Sequence, residues 1–166
     1  MNYTEYQKLA LRTAAKSADP RLDMAVLALG LVGEAGEVYE AVCDNVPIES
    51  LDAEIGDLFW YAAVLAKACD IGGESEFDAE IVSMLAPRFE ESPEDRALDI
   101  VYGTTSIAEA VKKQVGHGKP FDKGHMANML AAIMILARTL TPTSLSEICT
   151  KNIAKLKARW PEGFKS

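Results

Sequence analysis

Apolar residues recur at helical spacing along nearly the whole chain, and no stretch alternates with the period of two that a strand requires. Met24, Leu27, Leu31, Val38 and Val42 succeed one another at intervals of three, four and seven. That spacing predicts a long helix over 20–43, capped by Asp19 with Pro20 at its first position. Upstream, Thr4 to Gln7 reads as a capping box opening a helix to about residue 17. Ser50 is placed to cap a helix over 51–69, which Gly72-Gly73 stops. A weaker helical pattern covers 74–85 and ends before Pro87, and Ser92-Pro93 restarts the chain toward Val115. After a loop over 116–120 come helices over 122–140 and 144–159, the second opened by the box Ser144 to Glu147. The predicted fold is an all-α helical bundle.

Composition narrows the class. With 166 residues, 49% hydrophobic and 25% charged, the chain matches a soluble globular protein with one sizeable core, or two small halves sharing one. Cys43, Cys69 and Cys149 are three, far apart and never in a C-x-x-C pair. This excludes a disulfide framework and a thiolate zinc site, and it fits a reducing cytosol. No basic segment followed by an apolar one opens the chain, and the run over 129–137 is too short to span a membrane, so a cytoplasmic location is expected. The net charge of -8 is unevenly spread. Residues 1–100 hold 7 Lys/Arg against 21 Asp/Glu, and residues 101–166 hold 10 against 4. Two solvated surfaces of opposite sign give that split, and so does an acidic metal face opposite a basic face for a polyphosphate.

The halves also resemble each other. Residues 31–38, L-V-G-E-A-G-E-V, can be laid on 103–110, G-T-T-S-I-A-E-A, and 51–57 on 126–132. Glu34 then falls on Ser106, Glu54 on Met129 and Asp57 on Ala132, while Glu37 keeps an acid at Glu109. This reading gives two helical repeats, 1–90 with the acids and 91–166 with a basic tail, forming an internal pseudo-dimer in one compact unit.

The chemistry concentrates in Glu34, Glu37, Glu54 and Asp57, written E-x-x-E, sixteen residues, then E-x-x-D. Residues three apart share a helix face. Each pair thus points two acids one way, on helices with an apolar stripe. Two such charges ~4 Å apart repel by roughly 4 kcal/mol at an effective dielectric near 20, so convergence of the pairs calls for a cation. An oxygen-only set suits Mg²⁺, with Mn²⁺ as the alternative, rather than zinc. His117 and His125 lie outside the motif, which argues against a di-iron centre. Gly33, Gly36 and Gly56 interrupt these helices at roughly 1 kcal/mol each, a cost that fits either close helix packing or room for a ligand. Lys151, Lys155 and Arg159 repeat every four residues on one face, placed to meet phosphates or to complement their own helix end, with Asn152 beside them. Trp60, one turn after Asp57, suits a base pocket or the core, whereas Phe59 and Tyr61 are assigned to packing and His117 to a loop.

G-E-A-G-E followed by E-I-G-D-L-F-W-Y resembles the signature of MazG-like nucleotide pyrophosphohydrolases, within the all-α NTP pyrophosphatase superfamily. The segments 111–120, V-K-K-Q-V-G-H-G-K-P, and 151–164, K-N-I-A-K-L-K-A-R-W-P-E-G-F, are similar to further parts of short MazG-like proteins. The usual basic segment after the first acidic motif is missing here and turns up only in the second half. The resemblance implies Mg²⁺-dependent hydrolysis of a nucleoside triphosphate to monophosphate and pyrophosphate. It also implies that Glu34, Glu37, Glu54 and Asp57 hold the metal and carry catalysis, while Lys151, Asn152, Lys155, Arg159 and Trp60 serve the substrate. Neither nucleic acid nor membrane is an expected partner, and family members usually form dimers or larger oligomers. The competing reading is a non-catalytic nucleotide-binding or assembly module with a vestigial fold.

Overall fold

A computed structural model describes residues 1–71 and 85–164. Six α-helices account for most of them: α1 (Tyr3–Ala10), α2 (Pro20–Cys43), α3 (Ile48–Ala68), α4 (Pro93–His117), α5 (Lys123–Arg138) and α6 (Leu145–Arg159), with a 3₁₀ turn at Ala86–Glu90. Among the described residues there is no strand, and no helix is long and apolar enough to cross a membrane. The fold is all-α, as the periodicity requires.

Most caps act where the sequence puts them. Asp19 accepts from the Arg21 N–H with Pro20 at the first helical position, Ser92 accepts from Asp95, and Ser144 accepts from Glu147. Two starts differ. Helix α1 is capped by Asn2, whose side chain accepts from Glu5 N at 2.9 Å while Glu5 Oε2 accepts from Asn2 N at 3.2 Å. This box precedes Thr4–Gln7, and the helix stops at Ala10 rather than near residue 17. Its last carbonyl is taken by the Thr13 hydroxyl and the Trp60 indole, which turns the chain out of the helix. Helix α3 begins at Ile48, three residues before the expected Leu51. Pro47 carries the right φ of -53° and its carbonyl accepts from Ser50 and Leu51, so no side-chain cap is needed. Gly118, at φ 64°, ends α4 in the left-handed conformation. The helix expected over 74–85 and the Gly72-Gly73 stop fall outside the described residues, apart from Leu85.

Short turns fold α3 back on α2 and α5 back on α4. The two hairpins meet mainly through α2 and α4, while α1 and α6 both pack on α3. Leu31, Val38, Ile55, Leu58, Phe59, Ile100, Ile107 and Ile133 are fully buried where the helices meet. Each contributes about 1.5–3 kcal/mol through burial. Helices α3 and α5 bury matching positions: Leu51, Ile55, Leu58, Phe59 and Ala62 on one, Met126, Leu130, Ile133, Met134 and Ala137 seventy-five residues on.

Asp52 fixes the last helix. This buried carboxylate accepts 2.7 Å hydrogen bonds from the hydroxyls of Thr141 and Thr143, in the connection between α5 and α6. A buried charge is tolerated only with such partners. The clamp sets where α6 lies along α3.

Candidate functional site

Helices α2 and α3 bring the expected acids together. Glu34, Glu54 and Asp57 each offer a carboxylate oxygen within 4.8 Å of the others. Glu37 stands at the solvent edge, where its charge acts on Glu34 and Glu54. The electrostatic cost appears in the titration of the group. Burial first, then the charges of Asp57, Glu37 and Glu54, push Glu34 up to about 7 against the opposing pull of Lys155. Glu54 is raised as well, by burial and then by Glu37 and Asp57.

The donor set fits a hard divalent cation. Glu34 Oε2 is buried with no hydrogen-bond partner, a state that costs about 1–3 kcal/mol or more for a charged group. An ion bound by three or four carboxylate oxygens supplies that missing partner and offsets the mutual repulsion.

Helix α6 closes the site from the other side. Asp57 Oδ1 accepts from the Asn152 amide at 2.8 Å, and its Oδ2 is ion-paired with Lys155. Asn152 is itself held, since the buried Tyr6 hydroxyl donates to its Oδ1 at 2.9 Å. The three groups form a relay, Tyr6 to Asn152 to Asp57, that fixes one carboxylate. Gly56 permits it: a Cβ there would stand 3.1 Å from Asn152 Cβ. For this glycine, close packing is the explanation. Gly33 and Gly36 differ, because nothing lies within 4 Å of a Cβ built on either.

Beside the acids opens a cavity of about 280 Å³, walled by Trp60, Tyr61, Trp160 and Phe164, with Glu34, Asp57, Lys155 and Arg159 at its polar end. Trp60 is held by its indole N–H, which donates to Thr13 Oγ1 at 3.0 Å and Ala10 O at 3.2 Å. Tyr61 meets Trp60 edge-on at 4.8 Å, Phe164 meets Trp160 at 5.1 Å, and the Arg159 guanidinium lies 5.6 Å over the Trp160 ring.

Of the five residues expected to serve a substrate, Lys155, Arg159 and Trp60 line this cavity. Asn152 is buried, and its amide is occupied by Asp57 and Tyr6 rather than open to a ligand. Lys151 is turned away, 2.9 Å from Glu147 Oε1 and 3.6 Å from Asp52 Oδ2, beside a separate 180 Å³ cavity. The acid that positions α6 also draws Lys151 off the site.

Sequence reasoning missed three walls. Tyr61 was assigned to packing, yet it faces the cavity, and burial followed by the charges of Glu34 and Asp57 raises its phenol above the ordinary range. Gly30 carried the signal, because a Cβ there would lie 2.0 Å from the Tyr61 ring. Trp160 and Phe164 belong to the tail, and Gly163, at φ 82° with Arg12 O 2.7 Å from any Cβ, lets Phe164 N donate to Arg12 O.

Residues 23–86 match the family model of the MazG nucleotide pyrophosphohydrolase domain. No curated protein and no solved structure matches the chain. The matched stretch contains both acidic pairs, Trp60 and Tyr61, while Lys155, Arg159, Trp160 and Phe164 lie outside it. The helices that gather Glu34, Glu54 and Asp57 are thus similar to the MazG nucleotide pyrophosphohydrolase domain.

Proposed function

We propose that this protein is a Mg²⁺-dependent nucleoside triphosphate pyrophosphohydrolase, acting on ribo- or deoxynucleotides, with Mn²⁺ able to replace Mg²⁺. Water attacks the α-phosphorus, the bond to the bridging oxygen breaks, and pyrophosphate leaves with that oxygen. The observation that carries this reading is the convergence of Glu34, Glu54 and Asp57 on one point, with an unpartnered buried oxygen, at the mouth of an aromatic cavity. Glu34, Glu37, Glu54 and Asp57 would hold the metal, which when bound neutralises phosphate charge and lowers the pKa of the attacking water.

The chain's own residues do the rest. Asn152 and Tyr6 keep Asp57 in one orientation, so that its carboxylate is not reorganised on binding. Lys155 and Arg159 add positive charge for the phosphates. The faces of Trp60, Tyr61 and Trp160 stack a base and keep water from that end of the pocket. We also assign 91–166 as a degenerate copy of 1–90, a pseudo-dimer within one chain, on the strength of the matched burial in α3 and α5. The unpaired thiols of Cys43, Cys69 and Cys149 suit a cytoplasmic setting.

A panel of ribo- and deoxynucleoside triphosphates, incubated with Mg²⁺ or Mn²⁺ and followed by pyrophosphate release, tests the proposal. Turnover is expected for at least one nucleotide, and chelation should stop it. Asp57→Asn is expected to abolish turnover with helical content unchanged. A folded protein silent on the whole panel, or binding nucleotide without cleaving it, would leave the binding-module reading in place.

A further inference from the structure

A second cavity lies where the second half has lost its acids. It is about 380 Å³, larger than the first, and sits between α4, α5 and the loop that joins them. Ser106, Glu109 and Met129 line it, the positions onto which Glu34, Glu37 and Glu54 fall when the halves are aligned. The fourth position is Ala132. No metal-binding set of carboxylates stands here, but the helices leave a hollow.

Its lining has a different chemistry. Both carboxylates are committed: Glu109 is ion-paired with Lys112 and Lys113, and Asp122 accepts from His125 N as the cap of α5. Lys119 has no partner among the described residues, and the His125 ring also faces the hollow without one. Against these polar groups lie Phe121, Met126 and Met129. The cavity thus has a polar end, with two lysines and an imidazole beside two carboxylates, and an apolar end with an aromatic ring, in a volume of the size that holds a small ligand.

The geometry points to this cavity as a second binding site, which takes a nucleoside monophosphate without metal. The Lys119 ammonium, the Lys113 ammonium shared with Glu109 and the His125 imidazole can donate to the oxygens of one phosphate, with Asp122 the carboxylate left to oppose it. They are too few for the four negative charges of a triphosphate with no ion to share them. Phe121 and the two thioethers supply the flat and polarisable contacts for a base. Nucleoside monophosphates are also the product class of the reaction proposed above, although the pocket stands whether or not the first site turns over.

Calorimetric titration of AMP, GMP, CMP and UMP into the full chain with EDTA present tests this. At least one is expected to bind with no metal. Lys119→Glu, a change in an exposed loop, should weaken that binding by about tenfold or more. Phe121→Ala should weaken it too, whereas Arg159→Glu, on the first cavity, should leave it unchanged. Inorganic phosphate and the free nucleoside, titrated alone, should each bind far more weakly than the monophosphate. Absence of metal-free binding, binding that follows Arg159 instead of Lys119, or phosphate binding as tightly as the nucleotide would each overturn the assignment. The pyrophosphate assay is read separately, so failure of the hydrolase reading and failure of this one are distinguishable.

Discussion

Glu34 binds its proton more tightly in the folded protein than in the unfolded chain, being held up to about 7 against an ordinary 4.5. Its contribution to stability is therefore fully present below about pH 4.5 and is lost as pH rises through about 7. For this half-buried group the loss amounts to about 1–2 kcal/mol once solvent screening is allowed for. The metal-free protein should accordingly melt at lower temperature as pH rises across that window, and Glu34→Gln should flatten the profile. Thermal melts in EDTA decide it: a Glu34→Gln curve parallel to that of the unmodified protein would place the source elsewhere. Legibility at this scale was uneven. The four acids could be read because their spacing encodes a common direction. Lys151 and Lys155 looked equivalent for the same reason, and only the Asp52 clamp, a contact across distant sequence, separates them.

Helices α3 and α6 pack closely at Gly56, and the precision of Asp57 depends on that contact. Gly56→Val should drive Asn152 away from Asp57, lowering kcat by about tenfold or more. Steady-state kinetics against far-ultraviolet dichroism will separate this from unfolding, and a variant with full activity would remove the relay from the mechanism. Gly33→Ala has the opposite expected sign for stability. With nothing within 4 Å of the new methyl, the helix gains about 0.5–1 kcal/mol, measurable by urea unfolding. A loss of stability there would show that the glycine is required for a reason beyond helix propensity. Helix α2 was legible to the residue because Asp19 and Pro20 agree on one start. At α1 the acting box, Asn2 to Glu5, is local sequence, whereas the early stop at Ala10 goes with a Trp60 contact that local sequence does not contain.

For the molecule as a whole, two packed hairpins of related pattern carry unequal chemistry. Among the described residues, the acids grouped closely enough to hold a cation lie on the α2–α3 hairpin. Titration with Mn²⁺ should therefore reveal a single class of tight site per chain, abolished by Asp57→Asn. Two equivalent classes would contradict the asymmetry. The buried faces of both hairpins were visible in hydrophobic spacing, since burial selects for period and phase. The aromatic wall was not, because Trp160 and Phe164 reach the site through a turn that depends on Arg12, far away in sequence. That clasp has a consequence for how the protein is made. Since Phe164 hangs on the Arg12 carbonyl, a growing polypeptide carries its acids, Trp60 and Tyr61 long before it carries the rings of Trp160 and Phe164. A nascent chain would then have half of the aromatic wall beside its acids, and the pocket would enclose a base only once residues 160–164 had been made.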